Sequence, residues 1–218
     1  RHRVNLAPTT VIIGKNGSGK SIVARLPLLL SSALSESPEG PLDLLAGGIE
    51  HAVSFLDLIN LRSGLPFSLG MEITGEQPDL AFETTLRYVN ETRSLAIESF
   101  VLSEGNSVVL QADISGEEQL TSLRPTYNIK GDGFEHLPHE LKFSGLFPLA
   151  HGLSGRLGER LVSALSLFRL ALPTPSYLGP FRAEPTHSMR MPNQTIKELG
   201  PRGERALELL ADDRLRRG

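Results

Sequence analysis

The chain has 218 residues, is 39% hydrophobic and 22% charged, and carries a formal net charge of −3 with no cysteine. That balance fits a globular protein of one large or two small domains; it excludes a disulfide framework, a thiolate metal site and a global basic field for nucleic acid. No apolar run has the length of a membrane span, and the longest, Leu26 to Leu30, is broken by Pro27.

Taken in order, the chain opens at Arg1 with neither Met nor a signal-peptide pattern, and it reads as a fragment. Val4 and Leu6 alternate as in the end of an edge strand. Thr9-Thr10-Val11-Ile12-Ile13 is a short β-branched run that predicts a buried strand. Gly14-Lys15-Asn16-Gly17-Ser18-Gly19-Lys20-Ser21 follows and matches G-x-x-x-x-G-K-S/T, the phosphate-binding P-loop. Ile22 to Leu26 can open a helix, and a helix is expected from Ser21 to Leu34, kinked or ended early by Pro27.

The residue types of this loop carry a chemistry. Glycines let the backbone wrap a phosphate with N–H donors at a helix N-terminus, where the dipole favours an anion. Lys20 adds a charge for the outer phosphates, and the short Ser21 hydroxyl suits Mg²⁺. The candidate nucleotide-binding residues are therefore Gly14, Lys15, Asn16, Gly17, Ser18, Gly19, Lys20, Ser21 and Ile22, with Lys20 the catalytic candidate. The competing reading is a glycine-rich turn before an ordinary helix.

Ser35 to Pro41 reads as a loop. Leu45, Ile49, Val53, Leu56 and Ile59 recur at near-helical spacing, which predicts a helix over 42–61, weakened by Gly47-Gly48. From Pro66 the period changes to two. Strands are expected at Phe67 to Ile73, Leu80 to Tyr88, Ser94 to Leu102 and Val108 to Ile114, with Tyr127 to Ile129 as a further one. Turn-rich pieces separate them, so the expectation is an antiparallel meander of three to five strands. Leu157, Leu161, Ala164, Leu165, Phe168 and Leu172 form one helical stripe that Pro173 and Pro175 stop. Ser176 to Pro185 reads as a short strand entering a fixed loop. Leu199 to Glu204 is a turn, and Arg205 to Leu215 a final helix.

Val4 to Pro8 together with the loop at Gly14 to Ser21, Asn16 included, resembles the start of ABC-type ATPase heads of the SMC and OLD (overcoming-lysogenization-defect) kind. Tyr177-Leu178-Gly179-Pro180-Phe181-Arg182-Ala183-Glu184-Pro185 and Leu199-Gly200-Pro201-Arg202-Gly203-Glu204 are similar to a pattern in bacterial predicted ATPases of that group. The resemblance implies an α/β P-loop fold with an antiparallel β subdomain inserted after the P-loop helix. The expected division is 1–65 for the P-loop strand and helices, 66–130 for the β subdomain and 131–218 for a helix and a strand-loop-helix. The resemblance also implies ATP and Mg²⁺ as cofactors, a head-to-head homodimer, a cytoplasmic setting without membrane, and a nuclease or DNA as partner in DNA repair or phage defence. The alternative is a nucleotide-gated interaction module with little hydrolysis.

The chain departs from that family in its acids. No run of four apolar residues followed by Asp and Glu is found. Leu209-Leu210-Ala211-Asp212-Asp213 is the nearest, in a helical setting. Leu153-Ser154-Gly155-Arg156 has a partial likeness to the signature motif but suits a helix cap. Neither Gln111 nor Gln119 is assignable to a Q-loop. The expectation is a first lobe whose second lobe, with signature and Walker B motifs, lies beyond Gly218. Arg182 has two readings, a phosphate or partner contact and a structural arginine bonding loop carbonyls. His136, His139 and His151 lack metal-site spacing, and the arginines at 202, 205, 214, 216 and 217 are interspersed with acids as on a solvated face.

Overall fold

The computed structural model describes residues 3–38, 40–58, 65–75, 79–131, 138–151, 153, 155–179 and 199–217. Five ladders join six strands in sequence order: β1 (Phe67–Ile73), β2 (Leu80–Val89), β3 (Ser94–Glu104), β4 (Ser107–Ile114), β5 (Thr126–Gly131) and β6 (Pro138–Glu140). Every neighbouring pair is antiparallel. A two-stranded hairpin, β7 (Phe143–Ser144) with β8 (Phe147–Pro148), follows. Among the described residues there are three α-helices: α1 (Lys20–Ala33), α2 (Arg156–Ala171) and α3 (Ala206–Arg217). Among the described residues no helix is long and apolar enough to cross a membrane.

The core lies on one face of the sheet. Alternation puts Phe82, Thr84 and Leu86 of β2 inward. On β3 the inward set is Leu95 and Ile97, then Phe100 and Leu102, a slip of one position. The ladder explains the slip: Thr85 faces Ser99 while Leu86 faces Ile97, so Glu98 is an extra residue, a β-bulge. Its carboxylate turns to the polar face, where Arg87 Nη2 donates to it at 2.7 Å. A second bulge leaves Val109 unmatched between β3 and β4.

Against this face pack Leu157, Leu161, Ala164 and Phe168 of α2, Leu30, Ala33 and Leu34 from the end of α1, and Leu146 and Phe147 of the hairpin. The Phe82 ring meets Phe168 edge-on at 4.8 Å and Phe147 at 5.6 Å, while Phe100 meets Phe147 at 5.1 Å. Helix α1 runs through Pro27 to Ala33 rather than ending there. Proline costs one helical hydrogen bond, and burial of Leu28, Leu29, Leu30 and Ala33 beyond it outweighs that loss.

The architecture corrects the expected α/β P-loop fold. The chain is built mainly on an antiparallel sheet with few helices, not on a parallel sheet flanked by helices. Residues 9–13 form no strand; Val11 is 75% and Ile13 90% exposed. A β-branched run favours extended backbone, but a strand also needs a neighbour to take its N–H and C=O groups, and none of the ladders supplies one. The expected edge strand near Val4 and Leu6 is likewise absent, and Arg3 instead pairs with Glu72 of β1 at 2.9 Å.

Over 42–58 the expected helix is also replaced, by single turns of 3-10 helix at Ala46–Gly48 and Phe55–Leu58, and 59–61 lie outside the described residues. Gly48 sits at φ 71°, a left-handed position that ends the first turn. Asp43 Oδ1 accepts from Leu45 N–H at 2.8 Å and Asp57 Oδ2 from Ser54 N–H at 3.1 Å, local bonds that compete with a helix. Residues 176–179 form no strand, and the continuation of that segment lies outside the described residues.

Candidate functional site

The loop from Gly14 to Gly19 stands on the exposed N-terminal end of α1, while the C-terminal half of that helix is anchored in the core. Two conformational demands explain its glycines. Gly17 and Gly19 have φ of 78° and 85°, where a Cβ would strain the chain. Gly19 is the residue immediately before the helix, so the left-handed turn aims the first helical N–H groups back across the loop. A Cβ on Gly14 would lie 2.7 Å from Ser18 Oγ, so a larger residue there would turn that hydroxyl aside.

The Lys20 ammonium closes the loop. Its Nζ donates to the Gly14 carbonyl at 2.8 Å and to the Lys15 carbonyl at 2.7 Å. Ser18 N–H donates to the same Lys15 carbonyl at 3.2 Å, which tightens the turn. Ile22 and Val23 N–H groups both donate to the Gly19 carbonyl, at 3.0 and 3.1 Å. The N–H groups of Gly17, Gly19, Lys20 and Ser21 have no partner among the described residues, and neither has the Ser21 hydroxyl. Four orphan donors and one ammonium at a helix N-terminus make a donor set for an anion. The Ser21 hydroxyl is a single hard oxygen of the kind Mg²⁺ takes alongside phosphate and water. These residues therefore fit a Mg²⁺–polyphosphate group.

The structure brings Gly14 to Ile22 together as one loop and helix start. It gathers no other sequence-derived candidate beside them. Arg182, His136 and Ser154 lie outside the described residues, as do Pro180 to Pro185 of the family-like segment. Leu209 to Asp213 falls within α3, a helix and not an acidic strand end. Gln111 lies on β4, where its Nε2 donates to Asp113 at 2.7 Å, and the Gln119 side chain accepts from Thr126 N–H at 3.3 Å. Among the described residues no group of three or more His, Asp or Glu side chains is gathered as a metal site.

A second feature escaped the sequence. Arg25, Gly48, Ile49, Glu50, Tyr177, Gly179, Pro201 and Arg202 line an open cleft of about 390 Å³. Arg25 lies four positions after Ser21, hence on the same face of α1 one turn further along. Its guanidinium rests over the Tyr177 ring, 5.4 Å from the centroid, with Nε 3.4 Å from the phenol oxygen. The i,i+4 spacing from Ser21 was the one available signal; the partners come from segments 23 or more residues away and carried none.

No protein-family model matches the chain, and neither does any curated protein or solved structure.

Proposed function

We infer that this chain binds a Mg²⁺–nucleoside triphosphate, ATP by the resemblance of its sequence, at Gly14 to Ile22. The observation that carries the reading is the closure of the loop on Lys20, whose ammonium holds the Gly14 and Lys15 carbonyls while the N–H groups of Gly17, Gly19, Lys20 and Ser21 stay unpaired. Incoming phosphate oxygens would take those donors, and Lys20 would exchange two carbonyls for an anionic partner. Bound Mg²⁺ would supply charge neutralisation between phosphate oxygens, with Ser21 as its protein ligand.

The wider reading rests on the likeness of the loop and of the 177–185 and 199–204 segments to SMC- and OLD-like ATPase heads. In it the chain is the ATP-binding part of a cytoplasmic ATPase that pairs with a second copy and drives a complex with a nuclease or DNA, of the DNA-repair or phage-defence kind. The antiparallel architecture means that the loop here is presented by a helix docked on a β meander, without a parallel strand behind it among the described residues.

The test is calorimetric titration of Mg²⁺–ATP into the wild-type chain and Lys20→Ala, with molar mass followed by light scattering. Binding by the wild type, weakened about tenfold or more in the variant, is expected, because a charged hydrogen bond is worth about 1.5–3 kcal/mol. Equal affinity in the two proteins, or no binding by the wild type, overturns the reading. A doubling of mass with ATP would support the paired head.

A further inference from the structure

We propose that the cleft between α1 and the 199–204 turn is a second, separate site, for a small phosphorylated sugar or polyol. It goes beyond nucleotide binding at the loop and does not depend on it. The turn that forms one wall is held from several sides. Gly200 and Gly203 sit at φ of 76° and 72°, and Gly203 N–H donates to the Gly200 carbonyl at 3.0 Å. Arg202 N–H donates to Glu204 Oε2 at 2.9 Å, and Arg205 N–H to the Leu199 carbonyl at 3.1 Å. The opposite segment is tied to it by Gly179 N–H donating to the Pro201 carbonyl at 2.7 Å. A Cβ on Gly179 would lie 3.1 Å from that carbonyl oxygen, a tight contact that would push the two segments slightly apart.

The purpose such a frame could serve is set by what it presents. Arg202 stands on the turn with no carboxylate paired to its guanidinium among the described residues, and the Arg25 guanidinium rests on Tyr177. Two guanidinium groups and a single carboxylate, Glu50, line this cleft, a net positive wall that suits an oxyanion such as a phosphate monoester. Glu50 lines the same cleft and has no partner among the described residues. An ionised carboxylate only accepts hydrogen bonds, so beside an anion it requires hydroxyl or amine donors on the ligand. A phosphate at one end and hydroxyls at the other satisfy all three charged groups. The cleft has a volume of about 390 Å³ and is open to solvent along one side.

Ribose 5-phosphate is the probe, titrated calorimetrically into the full chain and into Arg202→Gln, Arg25→Gln, Glu50→Ala and Lys20→Ala. Circular dichroism checks each fold; Arg202→Gln alters an exposed side chain and keeps the test valid if Arg25→Gln unfolds. The expected result is binding that Arg202→Gln weakens about tenfold or more, consistent with a charge-assisted bond. Glu50→Ala weakens it several-fold and Lys20→Ala leaves it unchanged. Absence of binding by the wild type, unchanged affinity in Arg202→Gln, or tighter binding by Glu50→Ala overturns the proposal. Loss in Lys20→Ala alone would place the phosphate at the loop and overturn it too, whereas failure of ATP to bind would leave this site untouched.

Discussion

The Arg169 guanidinium reaches from α2 to the cap of α1 and the residue after it, where its Nε donates to the Leu34 carbonyl and its Nη2 to the Ser35 carbonyl at 2.8 Å. The last carbonyls of a helix have no partner within it and carry the negative end of its dipole. A guanidinium satisfies both needs and clamps the helix that presents the loop onto the helix that covers the sheet. Arg169→Ala is expected to cost about 1–2 kcal/mol of stability. A shift of the urea midpoint checks it. Arg169→Lys should recover only part of the loss, since one ammonium cannot match the fork. An unchanged midpoint in Arg169→Ala would show the clamp to be idle.

Phe168 lies one residue earlier on α2, fully buried, and packs edge-on against Phe82 of β2 at 4.8 Å. It joins the helix to the sheet and, through Phe147, to the hairpin, at 6.1 Å between rings. Phe168→Ala should cost about 3–5 kcal/mol, the transfer loss plus the cavity left among rings that cannot collapse. Phe168→Leu should cost less. Thermal unfolding followed by circular dichroism measures both.

Tyr127 of β5 is buried and donates its hydroxyl hydrogen to the Ile97 carbonyl at 2.9 Å. That carbonyl lies beside the bulge at Glu98, where the β2–β3 ladder is interrupted. Burial raises the pKa of the Tyr127 phenol above its ordinary value of 10.0. The unfolded chain ionises at the ordinary value and the folded chain does not. The contribution is therefore complete below that pH and is lost as the pH climbs from it towards the folded value. The melting temperature should fall as the pH climbs above about 10. In Tyr127→Phe the alkaline fall should be shallower, while at neutral pH the unpaired Ile97 carbonyl costs about 1–2 kcal/mol. Parallel pH profiles of the two proteins would refute this.

Local chemistry left most of the scaffold legible. The period-two runs at 67–73, 80–88, 94–102 and 108–114 and the piece at 127–129 became β1 to β5, because alternation directs one set of side chains to a core and the intervening polar residues suit turns. The stripe from Leu157 became α2, and the final helix forms as α3. The loop at Gly14 to Ser21 was legible for the same reason: glycines at 17 and 19 occupy positive φ, and the lysine spacing lets one ammonium reach carbonyls five and six residues back.

What sequence by itself determined, then, is the set of locally encoded pieces: alternating strands, an amphipathic helix and the glycine-rich loop from Gly14 to Ser21. The tertiary structure alone decided whether Thr9 to Ile13 would be a strand, since pairing is a property of the neighbour and not of the run. It decided that 42–58 would break into 3-10 turns, because left-handed Gly48 and the Asp43 and Asp57 bonds outcompeted a weak periodicity. It placed Glu98 and Val109 in bulges, where packing on both sides of each strand forces one extra residue out of phase. It also brought Arg25, Glu50, Tyr177 and Arg202 around one cleft. Those four residues come from distant segments, and only the long-range contacts that fold the chain make them neighbours.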